Sequence, residues 1–307
     1  MRHKPVLLKE VIDFLSLDPN MNVVDCTLGD AGHAEEMLKA ISPQGKLLGI
    51  DADPESILRA KQFLYEYQDR TILVRDNFVN LKKIVKVNDF SPVNAILMDL
   101  GWSSPQFEER GRGFSFLKDE PLDMRYFVNG QVSDLMPASE ILNTGSEEEL
   151  EEIFRVYGEE KFSKKIAGAI VAYRKKRPVK RTSDLVHIVL EVYKKKFKID
   201  KKQPWTGKIH PATKTFQALR IAVNNELEVL EKSLPQATDI LKEGGRLAVI
   251  SFHSLEDRIV KHYFKKLNRQ NFTVINKKPI TAEAEELKKN PRSRSAKLRV
   301  IEKNKNK

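Results

Sequence analysis

Cysteine is almost absent from this 307-residue chain, with Cys26 the single example. One thiol can neither close an internal disulfide nor build a cysteine-rich metal site. Set in the apolar run Val23-Val24-Asp25-Cys26, it is expected to be a small buried hydrophobe. The six histidines are dispersed, so no metal site is expected. No apolar run approaches the roughly 20 residues that a bilayer-spanning helix needs. The opening Met1-Arg2-His3-Lys4-Pro5-Val6 lacks signal-peptide architecture, and the cytoplasm is the expected location. The dinucleotide fingerprint G-x-G-x-x-G is missing as well, and internal repeats are absent.

What is present is a chain able to fold. Hydrophobic residues make up 40% and charged residues 32%, over a length that suits one large domain plus a smaller one. The 54 basic residues against 43 acidic ones give a net charge of +11, which favours polyanionic partners, nucleic acid foremost. A lysine-rich solvated surface gives the same total, so charge alone does not choose between the two.

The first hundred residues alternate strand-like and helix-like patterns. Strands are predicted at Met21–Cys26, Lys46–Asp51, Thr71–Arg75 and Val93–Asp99. Helices are predicted near Ala34–Ile41, Pro54–Tyr67 and Phe78–Val87. This alternation predicts a parallel sheet covered by helices on both faces. Ligands of such sheets bind beyond the carboxyl ends of the strands, where Asp51, Asp76 and Asp99 stand. From about residue 107 to 211 the pattern turns helical, with helices predicted at Glu147–Tyr157, Lys161–Lys176 and Ser183–Lys196. The α/β pattern then returns. A long helical stretch over Thr213–Leu241 is expected to kink or split at Pro235. The turn Gly244-Gly245 leads into a strand at Arg246–Phe252 and a helix at Leu255–Leu267. Two final strands, Phe272–Asn276 and Lys297–Glu302, read as antiparallel neighbours at the sheet edge.

Four segments carry candidate chemistry. The loop Thr27-Leu28-Gly29-Asp30-Ala31-Gly32-His33 follows the first strand; its glycines would let a ligand approach the backbone at a helix N-terminus, although an ordinary tight turn has the same composition. Asp51 can accept hydrogen bonds from vicinal ribose hydroxyls, whereas Asp53 before Pro54 reads as a helix N-cap. Phe78 could cover an adenine ring or simply fill the core. The fourth segment, Asp99-Leu100-Gly101-Trp102-Ser103-Ser104-Pro105-Gln106, resembles the polar-proline segment of amino-directed nucleic-acid methyltransferases. A cytosine N4 lone pair is delocalised into its ring. Acceptors held by a proline-stiffened turn can pyramidalise that amine and aim it at a sulfonium methyl.

The chain resembles the ribosomal RNA small-subunit methyltransferase H family, also called MraW. The resemblance rests on ordered blocks over nearly its whole length. They begin at His3-Lys4-Pro5-Val6-Leu7-Leu8-Lys9-Glu10 and include Arg112-Gly113-Phe114-Ser115-Phe116, Pro121-Leu122-Asp123-Met124-Arg125 and Tyr157-Gly158-Glu159-Glu160. The most distinctive are His210-Pro211-Ala212-Thr213-Lys214-Thr215-Phe216-Gln217-Ala218-Leu219-Arg220 and Ser251-Phe252-His253-Ser254-Leu255-Glu256-Asp257-Arg258, and the last is Asn290-Pro291-Arg292-Ser293-Arg294-Ser295.

The resemblance implies an α/β fold: a Rossmann-like class I sheet that binds S-adenosylmethionine (SAM), formed by residues 1–106 and 212–307, with an inserted helical substrate-recognition domain at 107–211. It implies SAM-dependent N4-methylation of a cytidine in the decoding centre of 16S ribosomal RNA, with the small ribosomal subunit as partner. A homodimer is compatible with the sequence but not specified by it. Residue by residue, Ala31, Gly32 and His33 would line the methionine part of SAM, Asp51 would hold the ribose and Phe78 would sit by the adenine. Asp99 and Gln106 would complete the pocket, and Asp99, Ser103, Ser104 and Pro105 are the catalytic candidates. Asp123, Arg125, His210, Lys214 and His253 are the substrate-side candidates. Phosphate contacts are expected from Arg174-Lys175-Lys176-Arg177, Lys180-Arg181, Lys194-Lys195-Lys196 and Arg292-Ser293-Arg294. Two positions depart from the family pattern: Ala31 replaces the usual Gly, which strains the loop if φ is positive there, and Tyr126 replaces the usual Met.

Three other functions share parts of this pattern. A SAM methyltransferase for protein or small molecules needs neither the charge nor the polar-proline segment. An NAD oxidoreductase would be expected to carry the missing glycine fingerprint. A non-catalytic ribosome-assembly factor would bind RNA without transferring a methyl group.

Overall fold

In the computed structural model, residues 4–100, 111–126, 135–198, 210–268 and 270–305 are described. The chain forms two compact units, Met1–Ser103 with Leu227–Lys307, and Ser104–Glu226.

The first unit is built on a seven-stranded sheet. Its strands are β1 (Asn22–Asp25), β2 (Lys46–Asp51), β3 (Thr71–Arg75), β4 (Val93–Asp99), β5 (Leu241–Ser251), β6 (Phe272–Val274) and β7 (Lys297–Lys303), in the order β3-β2-β1-β4-β5-β7-β6. β3, β2, β1, β4 and β5 run parallel, and β7 is antiparallel to both β5 and β6. The central strands are apolar on both faces because both faces are covered. Val23, Leu47, Leu97 and Ile250 pack with the helices Leu8–Leu15, Gly32–Ala40 and Pro54–Phe63. Their neighbours Val24, Leu48, Ile96 and Val249 point the other way, onto Leu81–Val87, Glu226–Ile240 and Ser254–Leu267. The strand order reverses between β1 and β4. That switch point parts the loops that follow these strands and opens a crevice for ligands at their carboxyl ends.

β2, β3 and β4 have the bounds expected from the sequence. The C-terminal pair is antiparallel as expected, but only β6 lies at the edge, because β7 inserts between β5 and β6. Gly244-Gly245 is not a turn ahead of the strand. Leu241 already pairs with Val93, and the ladder shifts register before Ala95 meets Arg246, with Gly244 at φ 74°. The long helical stretch is broken at Asn225 rather than at Pro235, which lies inside Glu226–Ile240. Asn225 is left-handed (φ 50°) and donates its N–H to the Ile221 carbonyl, a helix-ending conformation that asparagine tolerates better than most residues.

The second unit is helical: Ala138–Thr144, Glu147–Val156, Ser163–Arg174, Thr182–Phe197 and Ala212–Asn224. Its core joins Leu142, Leu150, Phe154, Ile170, Leu185 and Phe216. Ser146 starts the second helix through a capping box, its hydroxyl accepting from the Glu149 N–H while the Glu149 carboxylate accepts from the Ser146 N–H. The helix Ala212–Asn224 belongs to this compact unit, which runs from Ser104 to Glu226. Its buried face, with Phe216, Leu219 and Val223, completes the helical core, and helical periodicity does not disclose which core a face will fill. Among the described residues no helix is long and apolar enough to cross a membrane.

Candidate active site

The loop after β1 is held from below by buried carboxylates. The Asp25 Oδ1 accepts the Thr27 N–H at 3.0 Å. Burial pushes the Asp25 carboxyl up to about 7, against a smaller lowering by that bond. The Gly29 N–H donates to the Asp51 Oδ2 at 2.8 Å, which ties this loop to the end of β2. Gly29 (φ 52°) and Ala31 (φ 58°) are both left-handed. The positive φ that would strain an alanine is therefore present, and the Ala31 methyl is fully buried. Gly32 opens the next helix against the N-terminal segment: a β-carbon placed on it would fall 2.4 Å from the Cγ of Pro5.

His33 points back from that helix. Its Nε2 lies 2.9 Å from the Val6 carbonyl, which can only accept, so this nitrogen carries a hydrogen. The opposite nitrogen, Nδ1, faces the Asp99 Oδ2 at 3.6 Å. Asp99 ends β4, and its N–H donates to the Thr27 Oγ at 2.7 Å. Thus Thr27, Gly32, His33 and Asp99 meet where β1 and β4 diverge.

Asp51 accepts a second backbone bond, from the Asp53 N–H at 2.8 Å. Burial raises its carboxyl to about 6, with these backbone bonds and Arg59 pulling the other way. It is thus largely ionised at neutral pH and retains lone pairs beyond its two backbone bonds. Asp53 is the N-cap foreseen from the sequence, accepting from the N–H groups of Glu55 and Ser56. The Asp76 N–H donates to the Asp51 carbonyl at 3.2 Å, which brings the turn carrying Phe78 beside β2. Phe78 is half-buried against the sheet core.

His253 stands just beyond β5, the neighbour of β4. It is the N-cap of Ser254–Leu267: the Glu256 N–H donates to its Nδ1 at 3.4 Å, and the Glu256 carboxylate accepts from the Phe252 and His253 N–H groups. Helix capping is therefore a role His253 already fills. Ser103, Ser104, Pro105 and Gln106 lie outside the described residues.

The remaining substrate-side candidates belong to the helical unit. Asp123 and Arg125 form a two-pronged ion pair, with both bonds at 2.8 Å. Burial raises the Asp123 carboxyl, but the Arg125 fork and the backbone bond outweigh it and leave a net lowering. His210 stacks on Phe116 with ring centroids 4.7 Å apart, accepts the Ala212 N–H at its Nδ1, and has its pKa lowered by burial. Lys214 donates to the Glu159 carbonyl at 2.8 Å. Tyr126 stacks on Phe114 and donates its hydroxyl to Glu226.

The basic clusters divide into two kinds. Arg174 donates to the Leu142 and Gly145 carbonyls and so caps a neighbouring helix. Arg177 and Arg181 are matched to Asp184 and Asp119. Lys175, Lys176 and Lys180 are exposed.

The sequence did not single out Arg59, whose Nε binds the Asp30 carboxylate at 2.7 Å and whose guanidinium lies 3.8 Å from Asp53. It joins the loops after β1 and β2. No local spacing announces it, because Arg59 and Asp30 are 29 residues apart. The role of the N-terminal block was equally hidden. Beyond seating His33, it is held by Glu286, which accepts the Leu7 N–H, and by Asn290, which donates to the Lys4 carbonyl.

A glycine-containing loop at a helix N-terminus, an acid ending β2 and an acid ending β4, on a sheet closed by an antiparallel β7, define a SAM-dependent methyltransferase. The model of the MraW methylase family matches residues 1–304, and the chain belongs to that family. It is 44% identical to the ribosomal RNA small subunit methyltransferase H of Clostridium botulinum (strain Loch Maree / Type A3), over 98% of this chain and 99% of that one. It is 45% identical to the protein of the same name from Dictyoglomus thermophilum, over 99% and 97%, and 42% identical to that of Clostridioides difficile (strain 630), over 98% of each. The residues present fit SAM: left-handed backbone at Gly29 and Ala31 turns the loop onto a helix N-terminus, and Asp51 offers a carboxylate at the strand end.

Proposed function

We propose that the protein methylates the exocyclic N4 of a cytidine in the decoding centre of 16S ribosomal RNA, with SAM as methyl donor. The observation that carries this reading is identity of 42 to 45% over essentially the full length with relatives named as small-subunit ribosomal RNA methyltransferases. When bound, SAM supplies an electrophilic methyl on a sulfonium. Asp51 would hold its ribose hydroxyls, Phe78 would sit by the adenine, and Ala31, Gly32 and His33 would line the methionine part. Asp99 and Gln106 would complete the pocket.

The chain's own task is to make a poor nucleophile react. Acceptors on Asp99, Ser103 and Ser104, in a turn that Pro105 would stiffen, would draw on the N4 hydrogens, pyramidalise the amine and aim its lone pair. The N4 proton becomes acidic as the new N–C bond forms, and it leaves to a nearby acceptor or to water, so no strong general base is needed. The helical unit clamps the RNA through exposed lysines such as Lys175 and Lys176, while Asp123, Arg125, His210, Lys214 and His253 address the target nucleotide and its neighbours.

The test is transfer from labelled SAM to purified small subunits lacking the modification, followed by nucleoside mass spectrometry. N4-methylcytidine at one decoding-centre position is the expected product. Absence of transfer to subunits and to free ribosomal RNA, with SAM binding intact, would refute the reading and point to a protein or small-molecule substrate.

A further inference from the structure

The helical unit carries an aromatic cluster that the proposed methyl-transfer chemistry does not use. Phe162, Tyr193 and Phe197 pack together, with the Phe162 ring edge-on to both partners at centroid distances of 5.0 and 5.8 Å. Tyr193 and Phe197 are one helical turn apart on Thr182–Phe197, with centroids 6.0 Å apart. Two members are anchored from beneath. Glu160, only 4% exposed, accepts the Tyr193 hydroxyl at 3.1 Å and the Phe162 N–H at 2.9 Å. Phe197 is different: half of its surface, 51%, faces solvent, although it is held in place by two buttressed rings.

The surroundings indicate what would cover it. Lys161, Lys164, Lys165, Lys195, Lys196 and Lys198 are exposed on the two segments that carry the rings. Among the described residues, the acids on these segments are few or held by other groups: Glu160 is buried and accepts the Tyr193 hydroxyl, Glu191 pairs with Lys194 at 2.8 Å, Asp184 at the far end of the helix pairs with Arg177, and Glu159 adjoins Glu160. An exposed flat ring on a rigid support amid positive charge has the elements of a single-stranded nucleic-acid platform: the ring stacks a base, and the lysines meet the phosphates. A protein partner with an apolar patch would gain nothing from this density of lysine. A duplex would keep its bases stacked on one another.

We propose that Phe197, braced by Phe162 and Tyr193, is a stacking platform for an unpaired base of the RNA substrate, with the flanking lysines as its phosphate contacts. The inference rests on the reading that the substrate is RNA, and adds where on the helical unit an unpaired stretch is held.

The full-length protein is titrated into a fluorescein-labelled, unstructured oligoribonucleotide, and anisotropy is followed at several salt concentrations. Phe197→Ala should weaken binding about 5- to 150-fold, the range for one lost base stack. It should leave the salt slope unchanged, and Phe197→Trp should restore affinity. Lys195→Ala with Lys196→Ala should instead flatten the slope by about 1.4, as expected for two lost phosphate contacts on a single strand. With small subunits as substrate, Phe197→Ala should raise KM while the SAM affinity holds. Wild-type affinity in Phe197→Ala, with methylation of subunits intact, would overturn the platform and leave the RNA reading standing. No affinity of the wild-type protein for the oligoribonucleotide, together with no methyl transfer to subunits or free ribosomal RNA, would overturn both.

Discussion

Replacing Gly32 by alanine tests whether the N-terminal segment is part of the cofactor site. Gly32 opens the helix Gly32–Ala40 with ordinary backbone angles, so helix propensity alone predicts that Ala stabilises by about 0.5–1 kcal/mol. Packing predicts the opposite. The new β-carbon would lie 2.4 Å from the Cγ of Pro5 and 3.1 Å from its Cδ, and Pro5 would have to move by about an ångström to restore van der Waals contact. Such overpacking costs about 1–3 kcal/mol, enough to outweigh the propensity gain in most of that range. The displaced segment includes Val6, whose carbonyl holds the His33 Nε2 at 2.9 Å, so His33 loses its support and with it the fixed approach of Nδ1 to Asp99. Gly32→Ala should therefore lower Tm by a few degrees, since about 1 kcal/mol corresponds to roughly 2–4 °C for a unit of this size, and it should weaken SAM binding in calorimetry. The decisive comparison is the double variant. Pro5→Ala removes the clashing Cγ and Cδ, so adding Gly32→Ala in that background should be neutral or stabilising, a coupling of about 1–3 kcal/mol between the two sites. Additive effects, with Gly32→Ala equally harmful whether or not Pro5 is present, would refute the packing argument.

Three further expectations follow from the same geometry. The folded-state pKa of Asp25 is raised from 3.8 to about 7, so the stability contributed by its neutral form is complete below about pH 4 and lost as pH rises towards 7. Asp25→Asn keeps an oxygen for the Thr27 N–H, and its Tm advantage over wild type should grow across that window and level off above it, with a ceiling of about 4 kcal/mol; an advantage independent of pH would contradict the burial argument. Ala31→Gly relieves about 1–2 kcal/mol of left-handed strain but loses a buried methyl and adds unfolded-state entropy, so Tm should barely change. If Ala31 keeps its conformation when SAM binds, the strain cancels and affinity should stay within about threefold by calorimetry; a tenfold gain (about 1.4 kcal/mol) would show that binding requires further distortion. Lys175→Glu with Lys176→Glu, both exposed, should raise KM for small subunits and leave the SAM affinity unchanged, and loss of both together would remove the clamp from the helical unit.

The sequence carried β2, β3 and β4 within their observed bounds, together with the acids that end β2 and β4. The alternation of short apolar runs such as Leu47–Ile50 with helix-like stretches pointed to a parallel sheet covered on both faces, and the acids ending β2 and β4 stand at the carboxyl ends where ligands of such sheets bind. Asp53 as an N-cap was equally legible, because it acts within one helical turn. Tertiary structure decided whatever depends on residues distant in the chain. It broke the long helix at Asn225 rather than at Pro235, assigned Ala212–Asn224 to the helical core, and placed β7 between β5 and β6. It also turned Arg59 to Asp30 and His33 to Val6, and spent Arg174, Arg177 and Arg181 on internal partners that a basic run in sequence cannot reveal. Local patterns report backbone periodicity and capping, whose partners lie a few residues away. The neighbour that a side chain finally meets is set by how separate elements pack, and that exists only once the chain has folded.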